Sequence, residues 1–201
     1  MAARVLLKKQ PARVVARGLR VWLRPPEPED EAEFTALRRA SRAFLAPSGI
    51  AASPSRAFRL FLQQGPGTGR ERWLVCSKAD GEILGAVSLQ AIRGEPFHSA
   101  VIGYWIGAVH ARQGYMGEAL SLAVRRAFRG LGVNRLEADV LPENTASKRL
   151  LARAGFVREG LAREFVRIDG RFCDHERWAL LARDFARGVR PTRAQRPQSR
   201  K

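Results

Sequence analysis

Between residues 72 and 107 the chain reads with a period of two. RWLVCSK (72–78), ILGAVSLQAI (83–92) and FHSAVIGYWIG (97–107) are apolar-rich runs of strand length, separated only by ADGE (79–82) and RGEP (93–96). Turns that short join antiparallel neighbours, because a parallel crossover needs a dozen or more residues. The three runs therefore predict an antiparallel meander, which excludes a doubly wound parallel sheet.

The flanks supply helices and further strands. LRVWLRPP (19–26) alternates and stops at two prolines, a first strand. Residues 28–47 carry acids at the start, a broken stripe of Phe34, Leu37, Phe44 and Leu45, and a stop at Pro47 and Gly49, which predicts one helix. Residues 53–65 predict a second, capped by Ser53 with proline at its first position. GPGTGR (65–70) reads as a flexible loop. After the meander, Ala119, Leu120, Ala123, Val124, Ala127 and Phe128 recur at helical spacing over 114–132. A strand at 134–141, a helix at 144–155, a strand region at 156–168, a turn at Asp169-Gly170 and a closing strand over 171–185 complete the chain. The expected fold class is mixed α/β: a central, mostly antiparallel seven-stranded sheet flanked by roughly four helices.

The 201 residues suit one domain with tails, and 45% apolar content suffices for a core. No run approaches the length of a membrane span and no secretory signal is read, so the expected location is cytoplasmic, with no membrane partner. Cys76 and Cys173 show no metal spacing and are expected as two buried free thiols; no metal site is expected. The net charge of +17 is unevenly placed. Residues 1–24 hold seven basic residues and no acid, and residues 182–201 hold seven with one acid, Asp184. The middle, 25–181, has 22 basic against 18 acidic residues, a balance of only +4. The reading is a basic arm (1–18), a folded domain (19–185) and a basic, disordered tail (186–201), with arms suited to a polyanion such as RNA or a ribosomal surface.

The stretch RQGYMGEAL (112–120) follows a strand and opens a helix. The first backbone N–H groups of a helix lack internal partners, and with the helix dipole they favour an anion. Gly114 and Gly117 let a phosphate approach the backbone, and Arg112 adds charge-assisted bonds. Neither GxxxxGK[ST] nor GxGxxG is present, and a glycine pair alone is as consistent with a plain turn.

Arg112, Gly114 and Gly117 resemble the acetyl-CoA-binding motif of the GNAT family of N-acetyltransferases, with Gly114 one place before the usual middle glycine. GYWIG, NTAS, LLARAGFVREG and IDGRFCDHERWAL are similar to its RimJ/RimL-type branch, the ribosomal-protein-alanine N-acetyltransferases, and the likeness covers roughly residues 19–185. The resemblance implies a single GNAT fold splayed at strands four and five, here 97–107 and 134–140, with acetyl-CoA in the gap. It implies cofactor contacts from Ile106, Arg112, Gln113, Gly114, Tyr115, Gly117, Glu118 and Asn144. Ser147 matches a serine placed near the thioester sulfur and is the candidate general acid; a backbone N–H around Ile106 is the candidate oxyanion donor. Asn144 also reads as a helix N-cap, and Ser147 as a first-turn serine.

The chain departs from the branch at two places. Ala100-Val101-Ile102 stands where relatives often carry a glutamate, so the general base falls to His98, Glu137, Glu118 or Asp174, or to a water chain. Ser48 stands where relatives commonly have a tryptophan. Tyr104 and Trp105 lie on opposite faces of one strand, one for the core and one for the acceptor cleft. Phe34 and Phe44 are candidates for the acceptor entrance, and His175 for acceptor binding or structural hydrogen bonding. The expected activity is acetyl transfer to a protein N-terminal α-amine, an alanine of a ribosomal protein, by a monomer or homodimer with weak rRNA contact through the arms. Acetylation of a small-molecule amine such as an aminoglycoside, and a nonenzymatic RNA-binding assembly role, are the alternatives.

Overall fold

The computed structural model describes residues 13–49, 53–63 and 68–187. Most of the basic arm, residues 65–67 of the glycine loop and the tail from 188 onward lie outside them. The elements in chain order are β1 (Ala16–Arg17), β2 (Val21–Arg24), α1 (Glu31–Ala40), α2 (Arg42–Leu45), α3 (Pro54–Leu62), β3 (Glu71–Ser77), β4 (Ile83–Arg93), β5 (Ser99–Ile106), α4 (Tyr115–Gly130), β6 (Arg135–Val140), α5 (Thr145–Arg153), β7 (Val157–Ile168), β8 (Arg171–Leu181) and α6 (Ala182–Ala186). They build one sheet in the order β1-β2-β3-β4-β5-β6-β8-β7.

The predicted meander forms as β3–β4–β5, with Trp73 opposite Val87 and Val87 opposite Tyr104. Its two faces carry two cores. Alternation sends Trp73 and Val75 of β3 to one face, where α4 covers them with Leu120, Ala123, Val124 and Ala127. Leu74 and Cys76 go to the other face, against Phe34 of α1, Phe58 of α3 and Trp105 of β5. Phe34 lies 5.1 Å from Phe58 and meets Trp105 edge-on at 5.2 Å. Covering on both faces explains why β4 reads as an almost unbroken apolar run.

One pairing is parallel, and it is short. β5 and β6 pair from Ser99–Arg135 to Val101–Glu137, and no pairing continues beyond. Ile102–Ile106 therefore faces no strand on that side.

Four expectations need correction. The sheet has eight strands, because Ala16–Arg17, inside the segment read as an arm, folds back at Gly18 and pairs with Trp22–Leu23. A two-residue strand has no alternation to read. The single helix expected over 28–47 is broken: 3-10 turns flank α1 and α2, and the axis breaks at Ser41, whose buried hydroxyl accepts the Ala108 N–H at 2.9 Å. The closing strand ends at Leu181, and the chain turns into α6. Both cysteines are free, but only Cys76 is buried; burial pushes its thiol up to about 11.

Candidate active site

The glycine corner is built by the turn from β5 into α4. Gly114 has φ of +84°, a left-handed position that suits glycine. Its carbonyl accepts the Glu118 N–H at 3.2 Å, which closes the first turn and leaves the preceding amides without helical partners. Gly117 is not required by the protein's own packing. A Cβ there would meet only Leu150 Cδ1, at an ordinary 3.7 Å. The glycine keeps the helix N-terminus bare toward the open side. Arg112, Tyr115 and Gly117 line that opening, and Arg149 and Arg153 of α5 add exposed cations to it. The corner fits a pyrophosphate: unpartnered amides, a bare backbone and guanidinium groups on both flanking elements.

The opening continues into a cleft of about 1030 Å³ along the β5–β6 splay. The His98 carbonyl accepts from Asn134 on the β6 side, whereas the Gly107 N–H bonds to Leu84 of β4. Alternation then turns the amides of Ile102, Tyr104 and Ile106 into the gap. Ile106 thus presents the free N–H that an oxyanion contact needs, and its neighbours offer a strand edge to an extended ligand.

Ser147 lies on the cleft wall in the first turn of α5. Its hydroxyl is 2.8 Å from the hydroxyl of Tyr104, which rises from the opposite wall. Burial raises the Tyr104 phenol to about 12, against a smaller opposing effect of the Ser147 bond, so it holds its proton at neutral pH. Trp105 takes the core position and Tyr104 the cleft position. Asn144 caps α5, its Oδ1 accepting the Ser147 N–H at 3.0 Å, while its Nδ2 donates to Ser48 at 3.1 Å. One side chain therefore fixes the helix that carries Ser147 and the segment after α2.

The remaining sequence candidates are placed elsewhere. Gln113 donates to the Val109 carbonyl at 2.9 Å and steadies the loop. Glu118 accepts the backbone N–H groups of Arg20 at 2.7 Å and Val21 at 3.2 Å, which pins the β1–β2 hairpin to α4. His98 sits in the turn before β5, 3.0 Å from Glu95, and does not reach the cleft. Glu137 is held among Arg135, Arg177 and Arg93 beside the last β5–β6 pair. Asp174 accepts the Glu164 N–H in the β7–β8 ribbon. Two candidates do reach the cleft: Phe34, buried in the core, borders it, and the exposed Phe44 lines its mouth.

The carboxylate that does line the cleft is Asp139, two residues beyond Glu137 on the same face of β6. Its Oδ1 is 2.7 Å from Arg177 Nε, but neither of these buried atoms has a well-directed hydrogen bond. Burial raises its pKa; Arg177 and His175 oppose the rise and Glu137 adds to it. His175, buried with Nδ1 3.1 Å from the Cys173 carbonyl, lines the same end. On β6 the alternation that buries Leu136 and Ala138 turns Glu137 and Asp139 to the other face, and Asp139, one step further along, reaches the gap. The arginines of α5 were not singled out in the sequence; only the fold sets Arg149 and Arg153 beside the glycine corner.

Residues 20–157 match the Acetyltransferase (GNAT) domain family. The "Probable N-acetyltransferase YjcK" of Bacillus subtilis is 42% identical over 111 residues, 55% of this chain and 61% of that protein. The [Ribosomal protein uS5]-alanine N-acetyltransferase of Escherichia coli is 37% identical over 107 residues, 53% of this chain and 55% of that protein. The matched part thus spans little more than half the length of these curated relatives. Among solved structures, Mycobacterium smegmatis RimJ in complex with CoA-disulfide superposes with a TM-score of 0.70 at 26% identity, over 85% of this chain and 90% of that one. The Vibrio fischeri ribosomal-protein-S5-alanine acetyltransferase shares the fold, with a TM-score of 0.74 at 23% identity over 84% and 97%. With a bare helix N-terminus, a splayed sheet and a family match over more than half its length, the chain belongs to the GNAT acetyltransferase family.

Proposed function

We propose that the protein is an acetyl-CoA-dependent N-acetyltransferase acting on a protein N-terminal α-amine, with the alanine of a ribosomal protein as acceptor. The observation that carries this is the β5–β6 splay, which runs from the glycine corner past the Ser147–Tyr104 pair to Asp139. The acceptor identity draws on the relatives named for ribosomal-protein alanine. The cytoplasm, where ribosomal proteins are made, is the matching location.

Acetyl-CoA, when bound, supplies a thioester carbonyl. The α4 amides near Gly114 and Gly117, with Arg112, Arg149 and Arg153, hold its phosphates. The free Ile106 N–H donates to the carbonyl oxygen as charge develops there. An α-amine loses its last excess proton near 7.7–8.0, so a modest base suffices. Asp139, in the cleft and with a raised pKa, takes that proton directly or through one water. The Tyr104–Ser147 pair returns a proton toward the leaving sulfur. A polycationic acceptor such as an aminoglycoside calls for several carboxylates, and Asp139 is the only acid lining the cleft among the described residues.

The test is transfer from acetyl-CoA to short peptides beginning with Ala, Ser or Thr, each with a blocked-amine control, alongside one aminoglycoside, read by mass spectrometry. Acetylation of the free Ala peptide and not of its blocked form is expected. Acetylation of the aminoglycoside alone overturns the protein-directed reading.

A further inference from the structure

A second concavity, of about 360 Å³, shares no residue with the cleft. It is lined by Val15, Ala16, Leu122 and Gly130 and by four arginines, Arg17, Arg125, Arg126 and Arg129. No acid lines it. The helical period explains the placement: Ala123, Val124 and Ala127 face the core, which leaves 125, 126 and 129 outward.

The charges there are poorly compensated. Arg126 has Glu71 at 3.5 Å, yet its Nε is buried without a hydrogen-bond partner. Among the described residues, Arg17, Arg125 and Arg129 have no carboxylate within ion-pair distance; Arg17 lies over the Trp22 ring at 5.8 Å and Arg129 over Phe185 at 6.0 Å. Like charges four apart on a helix destabilise it slightly, so the fold alone gives no reason for the cluster.

Residues 1–12 contain Arg4, Lys8 and Lys9 with no acid, and join the fold just before Val15. Residues 188–201 contain Arg190, Arg193, Arg196, Arg200 and Lys201 with no acid, and follow α6, whose Phe185 packs 5.4 Å from Phe128 on α4.

We propose that this outer face of α4, with Arg17 beside it, binds the phosphate backbone of an RNA strand. Apart from Lys8, Lys9, Lys78, Lys148 and Lys201, every basic residue is arginine, whose planar fork matches phosphate. A lipid surface is a poor fit, because none of the exposed large apolar side chains lines this groove. The choice of RNA over other polyanions rests on the ribosomal acceptor proposed above. The geometry allows simultaneous use: Arg125 and Arg129 lie about 12–18 Å along α4 from Gly117, so bound RNA leaves the donor corner free.

The test is fluorescence anisotropy of the full chain with a labelled, unstructured RNA of roughly 20 nucleotides between about 50 and 200 mM salt. Binding that weakens with salt is expected, and R125E/R129E should weaken it at least tenfold at the low end. The milder R125Q/R129Q should flatten the log–log salt slope by about 1.4, two single-strand contacts. Acetyl-CoA affinity of both variants should match the parent, which reports an intact fold, and saturating acetyl-CoA should not displace RNA. Absence of RNA binding, equal binding by parent and variants, displacement by acetyl-CoA, or tighter binding of poly-glutamate each overturns the proposal. No acetyl transfer is measured, so this result and that of the peptide assay stand or fall separately.

Discussion

At the scale of single residues, the proposed reaction divides the cleft between groups that hold and groups that move protons. Tyr104→Phe removes one hydroxyl of the pair and leaves the buried ring in place. The expected result is a 10- to 100-fold lower kcat with little change in acetyl-CoA affinity, and Ser147→Ala should fall in the same range. A tenfold loss of affinity with unchanged kcat would instead make the pair a binding contact. Asp139→Asn keeps shape and removes the proposed base, so kcat/KM should drop about 100-fold near neutral pH. The deficit should shrink as pH rises past the amine's own 7.7–8.0, where the acceptor is already neutral. Gly117→Ala separates folding from binding: calorimetry should show unchanged or higher stability, by up to about 1 kcal/mol, while acetyl-CoA binding weakens.

At the scale of elements, Glu118 shows how a short strand is held. Burial alone would raise its carboxyl, but the backbone N–H groups of Arg20 and Val21 with the Arg20 guanidinium outweigh that and keep it below its ordinary 4.5. A depressed pKa stabilises the fold above the ordinary value, and that contribution is lost as pH falls through the folded value. Denaturant unfolding should therefore find Glu118→Gln about 1–2 kcal/mol less stable at pH 7, with the gap closing as pH falls below the ordinary 4.5. The meander, α4 and the capped α5 were legible because each is written in local pattern: period two, period 3.6, and Asn144 three residues before the amide it accepts. The β1 strand and the break at Ser41 were not. Both depend on partners distant in sequence, Glu118 for the hairpin and Ala108 for the serine. The site was legible in the same proportion. Arg112, Gly114, Gly117, Asn144 and Ser147 come from one contiguous corner and its neighbouring helix. Asp139 and the Tyr104–Ser147 bond need the two sides of the splay placed face to face, which no local pattern states.

At the scale of the molecule, one sheet is sandwiched between two cores that share β2, β3, β4 and β5. Unfolding either core strips the other, so heat should produce a single transition. Phe34→Ala, on the α1–α3 face, should cost about 3–5 kcal/mol and lower that one transition without splitting it. Saturation with acetyl-CoA at about 100 times its Kd should raise stability by about 2.7 kcal/mol. The Asn144 amide has a kinetic consequence. Its oxygen fixes the α5 turn facing the proposed donor route and its nitrogen holds Ser48 at the proposed acceptor entrance. The next residue, Gly49, has φ of +68°, and a Cβ there would come within 2.5 Å of Ile168. The doorstep is thus clamped from both sides, and whatever settles the turn also settles the threshold. Such a coupling favours a compulsory sequence of arrival, donor first and peptide second, so that free CoA competes with acetyl-CoA alone in product-inhibition patterns.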